Sequence, residues 1–269
     1  ITDSFFTSPG VTDIHPRKDI SVVALGSMSP TDAPRGKLEI LKKGNEPATV
    51  ISNLRRPVQA TYADLNNDGR EDIIISEFGF RQGALSWFEN NGKGNYTRRI
   101  IKSLVGAIRT EVYDFNKDGK PDIVALMAQG DEGVFIYYNE GNGKFREERV
   151  LQFQPAYGSN FFDLVDINKD GYIDIITNNG DNGDYSVILK AYHGIRIFLN
   201  YGENKFTKKL LLPVYGVQKT IAKDFDNDGD IDLASISFFP DYKNHPEESF
   251  IYWENKGDFT FTRSTFSGA

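Results

Sequence analysis

A nine-residue pattern recurs four times along this chain, as DLNNDGRED from Asp64, DFNKDGKPD from Asp114, DINKDGYID from Asp166 and DFDNDGDID from Asp224. Every copy has oxygen-bearing side chains at positions one, three, five and nine, and a glycine at six. In a tight loop neighbouring side chains diverge, so every second one can converge on a common point. A hard cation such as calcium takes six to eight oxygens, and alternating Asp and Asn supply most of them. Gly69 and its counterparts Gly119, Gly171 and Gly229 suit the sharp turn, since glycine enters positive φ at little cost. The side chains expected to hold metal are Asp64, Asn66, Asp68 and Asp72, then Asp114, Asn116, Asp118 and Asp122. The later loops offer Asp166, Asn168, Asp170 and Asp174, then Asp224, Asp226, Asp228 and Asp232. Position seven (Arg70, Lys120, Tyr172, Asp230) is expected to add a backbone carbonyl. Four bound Ca²⁺ ions are expected, one per loop.

An EF-hand begins in the same way but ends differently. It closes with a glutamate at position twelve and leads into a helix. Here position twelve is Ile75, Ala125, Thr177 or Ser235, and short β-rich runs follow (IIIS, IVALM, IIT, LASIS). Such runs read as strands, so each loop connects two strands. One Asp-Gly pair would serve equally well as a hairpin turn. Four copies with the same ligand positions favour metal loops.

The loops start at 64, 114, 166 and 224, a period of the size found in propellers and solenoids. A second marker, Asn-x-Gly, keeps the register at Asn90, Asn139, Asn200 and Asn255, each after an aromatic or β-branched run. Each repeat therefore offers four strand-like runs, two flanking the acidic loop and two flanking Asn-x-Gly. The fold class expected is all-β, a β-propeller of four-stranded antiparallel blades. Residues 1–269 read as one propeller domain, with repeats at about 1–55, 56–105, 106–155, 156–214 and 215–269. The first repeat reads as an eroded loop. With Asp19 at position nine, Asp13 falls at three, but Val11, His15 and Pro16 occupy one, five and six. No metal is expected there, and Lys18 is a candidate partner for the remaining carboxylates.

These motifs resemble the FG-GAP or VCBS repeats of integrin α head domains and of many secreted bacterial proteins. The resemblance covers residues from about 11 to 269. It implies a calcium-stiffened propeller, most often of seven blades, whose acidic loop joins the first two strands of a blade. Five repeats are visible, so the chain is expected either to close as five blades or to be a stretch of a seven-bladed propeller. A start at Ile1 and an end just after FTFTRSTF suit an excised piece.

Composition bears on the partner. The net charge is −7, and the loop ligand positions hold three, three, three and four carboxylates, so four Ca²⁺ would bring the total to +1. Without a basic stripe, a nucleic-acid partner is not expected. No apolar run reaches the ~18 residues of a membrane span. Without cysteine the fold has no disulfides, leaving calcium as its evident staple. The expected location is extracellular, at the cell surface or periplasmic.

Connection parity puts the acidic loops and Asn-x-Gly turns at one end of each blade and the second connection at the other. From position nine to the Asn-x-Gly asparagine the chain runs 18, 17, 26 and 23 residues, so the last two repeats carry insertions. These hold Asp181, Asp184, Tyr185, Lys190, Tyr192 and His193, then Phe238, Phe239, Asp241, Tyr242, Lys243, His245 and Glu248. Loops on such scaffolds commonly carry function. The ligand-contacting set is expected to be Tyr185, Lys190, Tyr192, His193, Phe239, Tyr242 and His245, against a carbohydrate or protein partner. The function expected is an extracellular binding or scaffold module, as in cell adhesion. The alternative is a polysaccharide lyase or dehydratase with its site in 181–193 and 238–248, using Lys190, Tyr192 or His193 as base. A nucleophile motif, a phosphate-binding glycine loop and zinc spacing are all missing from the sequence.

Overall fold

The computed structural model describes residues 10–16, 20–24, 26–27, 29–41, 47–181 and 188–266. The described residues form five four-stranded antiparallel sheets, each a simple up-and-down meander. The first comprises β1 (Val11–Pro16), β2 (Ile20–Ala24), β3 (Gly36–Leu41) and β4 (Ala48–Leu54). The second comprises β5 (Pro57–Ala63), β6 (Asp72–Glu77), β7 (Ala84–Asn90) and β8 (Tyr96–Lys102). The third comprises β9 (Ala107–Tyr113), β10 (Asp122–Met127), β11 (Gly133–Gly141) and β12 (Lys144–Gln152). The fourth comprises β13 (Ser159–Val165), β14 (Asp174–Asn179), β15 (Gly194–Asn200) and β16 (Phe206–Pro213). The fifth comprises β17 (Val217–Lys223), β18 (Asp232–Ser237), β19 (Phe250–Asn255) and β20 (Phe261–Ser264). Helix is limited to two short 3₁₀ turns among the described residues, Pro155–Tyr157 and Pro246–Ser249. The all-β expectation holds, and each sheet lies within one repeat.

The chain divides into two compact units, Ile1–Arg149 and Val150–Ala269. In the first, Ile73 and Ile75 of β6 join Val23, Leu38, Leu54 and Phe88 in a core between the first and second sheets. Ile74, on the other face of the same strand, joins Leu85, Trp87, Ile123, Ala125 and Phe135 between the second and third. A strand with both faces covered reads as an unbroken apolar run, which explains DIIISE and DIVALM. The fourth strands, such as YTRRIIK of β8, are largely exposed and polar. In the second unit Ile176, Ile195, Ile197, Leu233, Ile251 and Trp253 form the equivalent core.

Entry into the sheets repeats at a fixed register. Residues Arg56, Gly106, Gly158 and Gly216 all take positive φ. Each carbonyl accepts an N–H 22 residues later, from Phe78, Ala128, Gly180 and Phe238 respectively, at 2.7–3.0 Å. This bond ties the link before each of the last four sheets to that sheet's second connection. A β-bulge follows within β5, β9, β13 and β17.

The first repeat corrects the sequence reading. Val11, Asp13 and His15 are not loop positions. They lie in β1, paired with Ala24, Val23 and Ser21 of β2. The strand occupies the frame that the loop would need. Asp13 Oδ2 instead accepts the N–H of Ala60 at 3.0 Å and lies 2.8 Å from His15 Nε2. Lys18 and Asp19 lie outside the described residues.

Candidate metal loops and insertion face

Each acidic loop is organised by its own alternating side chains. Asp64 accepts the N–H groups of Asp68 and Gly69 at 3.1 and 2.8 Å, and Asp114 and Asp166 do the same in their loops. Position three accepts from position five, as Asn66 from Asp68 at 3.2 Å and Asp226 from Asp228 at 3.1 Å. Position five accepts from position seven, as Asp170 from Tyr172 at 2.9 Å. Folding these oxygens inward over the turn explains the spacing of two. Gly69 sits at φ 80° with open space around its missing Cβ, so backbone conformation and not crowding requires glycine. Outside the ring, the side chains of Arg70 and Lys120 pair with Asp68 and Asp118.

Position nine has a second role. Asp72, Asp122, Asp174 and Asp232 are fully buried at the start of the second strand. Asp72 Oδ2 accepts the N–H of Leu65 at 3.1 Å and Oδ1 that of Asn90 at 2.8 Å. The other three repeat this, reaching Asn139, Asn200 and Asn255. The Asn-x-Gly asparagine completes the clasp. Asn90 donates to Glu71 O at 2.9 Å and accepts from Gly92 N at 2.9 Å, with equivalents at Asn139, Asn200 and Asn255. Loop and turn therefore lie at one end of each of the last four sheets. A carboxylate offers about four lone-pair sites, so two N–H bonds leave room for a metal.

Burial pushes the carboxyls of Asp72 and Asp122 up despite these bonds, and raises Asp174 to about 6. Asp232 is also desolvated, but the N–H of Asn255, the Tyr252 hydroxyl at 2.8 Å and the N–H of Phe225 hold it below the usual range. The loop it closes has the plainest metal-type geometry. Single oxygens of Asp224, Asp226 and Asp232 lie within 4.8 Å of one another. Asp224 Oδ1 is buried without a hydrogen-bond partner, while its Oδ2 accepts from Gly229 N at 3.1 Å. An orphaned anionic oxygen among carboxylates is a costly arrangement unless a cation meets it. The all-oxygen set of Asp224, Asp226 and Asp232 fits calcium.

At the opposite end of the second unit, the two insertions flank the link before β17. The carbonyl of His193 accepts from Val214 N at 3.4 Å, and Gly216 O accepts from Phe238 N at 2.9 Å. Phe238, Tyr242, Ile188 and Tyr192 are exposed, and Tyr192 stacks on Tyr157 with centroids 5.7 Å apart. Phe239 is half-buried, edge-on to Phe238. Lys190 is half-buried and its carbonyl caps His193 N at 3.0 Å. His245 is exposed beside Glu247 at 3.3 Å. Asp184 and Tyr185 lie outside the described residues.

His193 is the exception among the expected contacts, being only 1% exposed. Gly216 N–H donates to its Nδ1 at 3.4 Å, so the proton resides on Nε2, which is buried and unpartnered. Burial and the nearby Lys190 charge lower it to about 4. Enclosed in this way, the imidazole is out of reach of a ligand and of a substrate's proton. Sequence reasoning also missed Arg196, buried beneath these loops, which donates to Asn179 Oδ1 and Tyr192 O at 2.7 and 2.6 Å. Its place on the apolar strand GIRIFLN was the available signal. Among the described residues, no helix is long and apolar enough to cross a membrane.

The family profile described as an FG-GAP-like repeat matches residues 64–125 and again 114–177. No curated protein sequence matches the chain. Among solved structures, an exo-1,5-alpha-L-arabinanase from a bovine ruminal metagenomic library is similar with a TM-score of 0.42 and 10% identity. That alignment covers 97% of this chain and 99% of the arabinanase.

Proposed function

The chain carries FG-GAP-like repeats, and from that premise we propose that it is a calcium-stabilised binding module. The observation that carries this reading is the trio Asp224, Asp226 and Asp232 with its orphaned Asp224 Oδ1. In this reading the four loops hold one Ca²⁺ each, and the metal braces the fold without taking part in chemistry. Loops of extracellular modules bind calcium with dissociation constants of about 10⁻⁴–10⁻³ M, so they fill only where calcium is millimolar. The proposed location is therefore extracellular, cell-surface or periplasmic. A site at roughly tenfold excess metal gains about 1.4 kcal/mol, and four such sites about 5–6 kcal/mol. That is comparable with the whole stability of a domain, ~5–15 kcal/mol.

The proposed ligand is a carbohydrate or a protein, met by the insertion face. Support comes from Phe238 and Tyr242, which are 65% and 61% exposed beside the Gly216 link. Aromatic rings at a surface offer an apolar face with a polar edge, suited to sugars and to protein side chains alike. The enclosure of His193 removes it as a base for the lyase or dehydratase reading, which would then rest on Lys190 or Tyr192.

Two measurements test the proposal together. A thermal melt should move strongly between excess EDTA and millimolar calcium, and an unchanged melt would overturn the metal reading. A glycan and protein array should find a ligand whose binding falls on Tyr192→Ala or Tyr242→Ala. Turnover of an acidic polysaccharide would overturn the module reading in favour of an enzyme.

A further inference from the structure

A cleft of about 310 Å³ opens between the second and third sheets, at the end that carries the acidic loops. Asn66, Asp68, Trp87, Glu89, Arg99 and Asn142 line it. Its size is at the lower limit of small-molecule sites, which span about 300–1,000 Å³.

The groups around it are fixed in place. The Arg99 guanidinium sits over the Trp87 ring, 5.4 Å from its centroid. Its Nε and Nη2 lie 2.8 and 2.6 Å from Glu89 Oε2. Glu89 Oε1 in turn accepts the Asn66 amide at 3.2 Å. A guanidinium stacked on one side and paired on another loses little further entropy when a ligand binds. Two groups face the opening, since Arg99 and Asn142 are both exposed, with the Arg99 side chain 50% accessible. Gly143 keeps the wall thin, because a Cβ there would meet Trp87 Cζ3 at 3.1 Å.

Charge narrows the class of ligand. Asp68 is paired with Arg70 and Glu89 with Arg99, so the wall offers no net charge to attract a phosphate or a carboxylate. An amine would face a guanidinium that already holds Glu89. A neutral compound with adjacent hydroxyls meets neither obstacle, since each hydroxyl both donates and accepts. We propose that this cleft binds a neutral pyranose residue. One hydroxyl accepts from Arg99 Nη1 and the Asn142 amide, and its neighbour donates to Glu89. This site uses other sheets and other residues than the insertion face, and it does not depend on that reading.

The test is NMR titration of the intact chain in millimolar calcium with methyl glycosides of glucose, galactose, mannose and fucose. Glucuronate and glucosamine serve as charged comparisons. The Trp87 indole N–H resonance should shift with at least one neutral glycoside while that of Trp253 stays in place. Arg99→Ala and Asn142→Ala should each weaken binding by about tenfold, the loss of one good hydrogen bond. Lys205→Ala, in the exposed turn before β16, should leave it unchanged. Asn142 is exposed in the turn before β12, so its variant keeps the test valid should Arg99→Ala fail to fold. The proposal is overturned if no neutral glycoside moves Trp87, if a charged sugar binds more tightly, or if folded Asn142→Ala binds as the parent does.

Discussion

The side-chain amide of Asn139 donates to the main-chain carbonyl of Leu65 at 2.7 Å, inside the core and across two sheets. Leu65 N–H is held by Asp72, and Asn139 N–H by Asp122. The closing aspartates of two successive acidic loops are thus joined through one buried hydrogen-bonded chain. Asn139→Ala removes the bond and strands the buried carbonyl of Leu65 and the half-buried one of Pro121. The expected loss is about 2–4 kcal/mol, read by urea unfolding in calcium. A loss under half a kilocalorie per mole would mean that the chain of bonds is energetically idle.

Asp224→Asn should separate the metal's effect from that of the loop. The variant keeps an acceptor for Gly229 N–H but removes one charge from the trio with Asp226 and Asp232. In EDTA its melting temperature is expected to equal or exceed that of the parent, because mutual repulsion falls. In millimolar calcium it should melt lower, with calorimetric stoichiometry reduced by one ion. The same ranking in both buffers would count against calcium in this loop.

Asp174 gives the pH dependence a sign. Burial raises its folded carboxyl to about 6, above the usual value of 3.8. Without metal the folded chain therefore binds this proton more tightly than the unfolded chain does. This group's stabilising contribution is present below about pH 4 and is lost as pH rises through 6, by up to about 3 kcal/mol. Calcium should reverse the trend by favouring the carboxylate, so its affinity for this loop weakens below pH 6. Carboxyl NMR should find a midpoint near 6 in EDTA and a lower one with calcium. Equal midpoints would show that no ion reaches Asp174.

Two glycines should respond differently to alanine. At Gly216, with φ 62°, a Cβ would meet the Phe239 carbonyl oxygen at 2.4 Å. At Gly69, with φ 80°, it would meet nothing within 4 Å. Gly69→Ala is expected to cost about 1 kcal/mol of backbone strain. Gly216→Ala should cost at least about 2 kcal/mol more, because the link to β17 must shift. Guanidinium melts of the two variants check the difference, and equal costs would contradict the crowding seen at Gly216.

By itself the sequence determined the repeat. Its acidic loops are local objects, with the side chains that fold over the turn all within nine residues of one another. The strands either side of them were legible because middle strands covered on both faces are unbroken apolar runs, as in IIIS after Asp72. What depends on partners far along the chain was decided only by tertiary structure. Asp72 looked like a metal ligand alone, but its N–H partners Leu65 and Asn90 make it also the clasp between loop and turn. The first repeat's acidic residues looked like a worn loop until pairing with β2 drew residues 11–16 into a strand. His193 carried the chemistry of a site residue, and packing against the Gly216 link enclosed it. The link glycines Gly106, Gly158 and Gly216 stood in the sequence in register, yet their meaning lies in bonds that close 22 residues away. Local chemistry is written in short spacings, whereas burial and long-range hydrogen bonds depend on which sheets come to lie against each other.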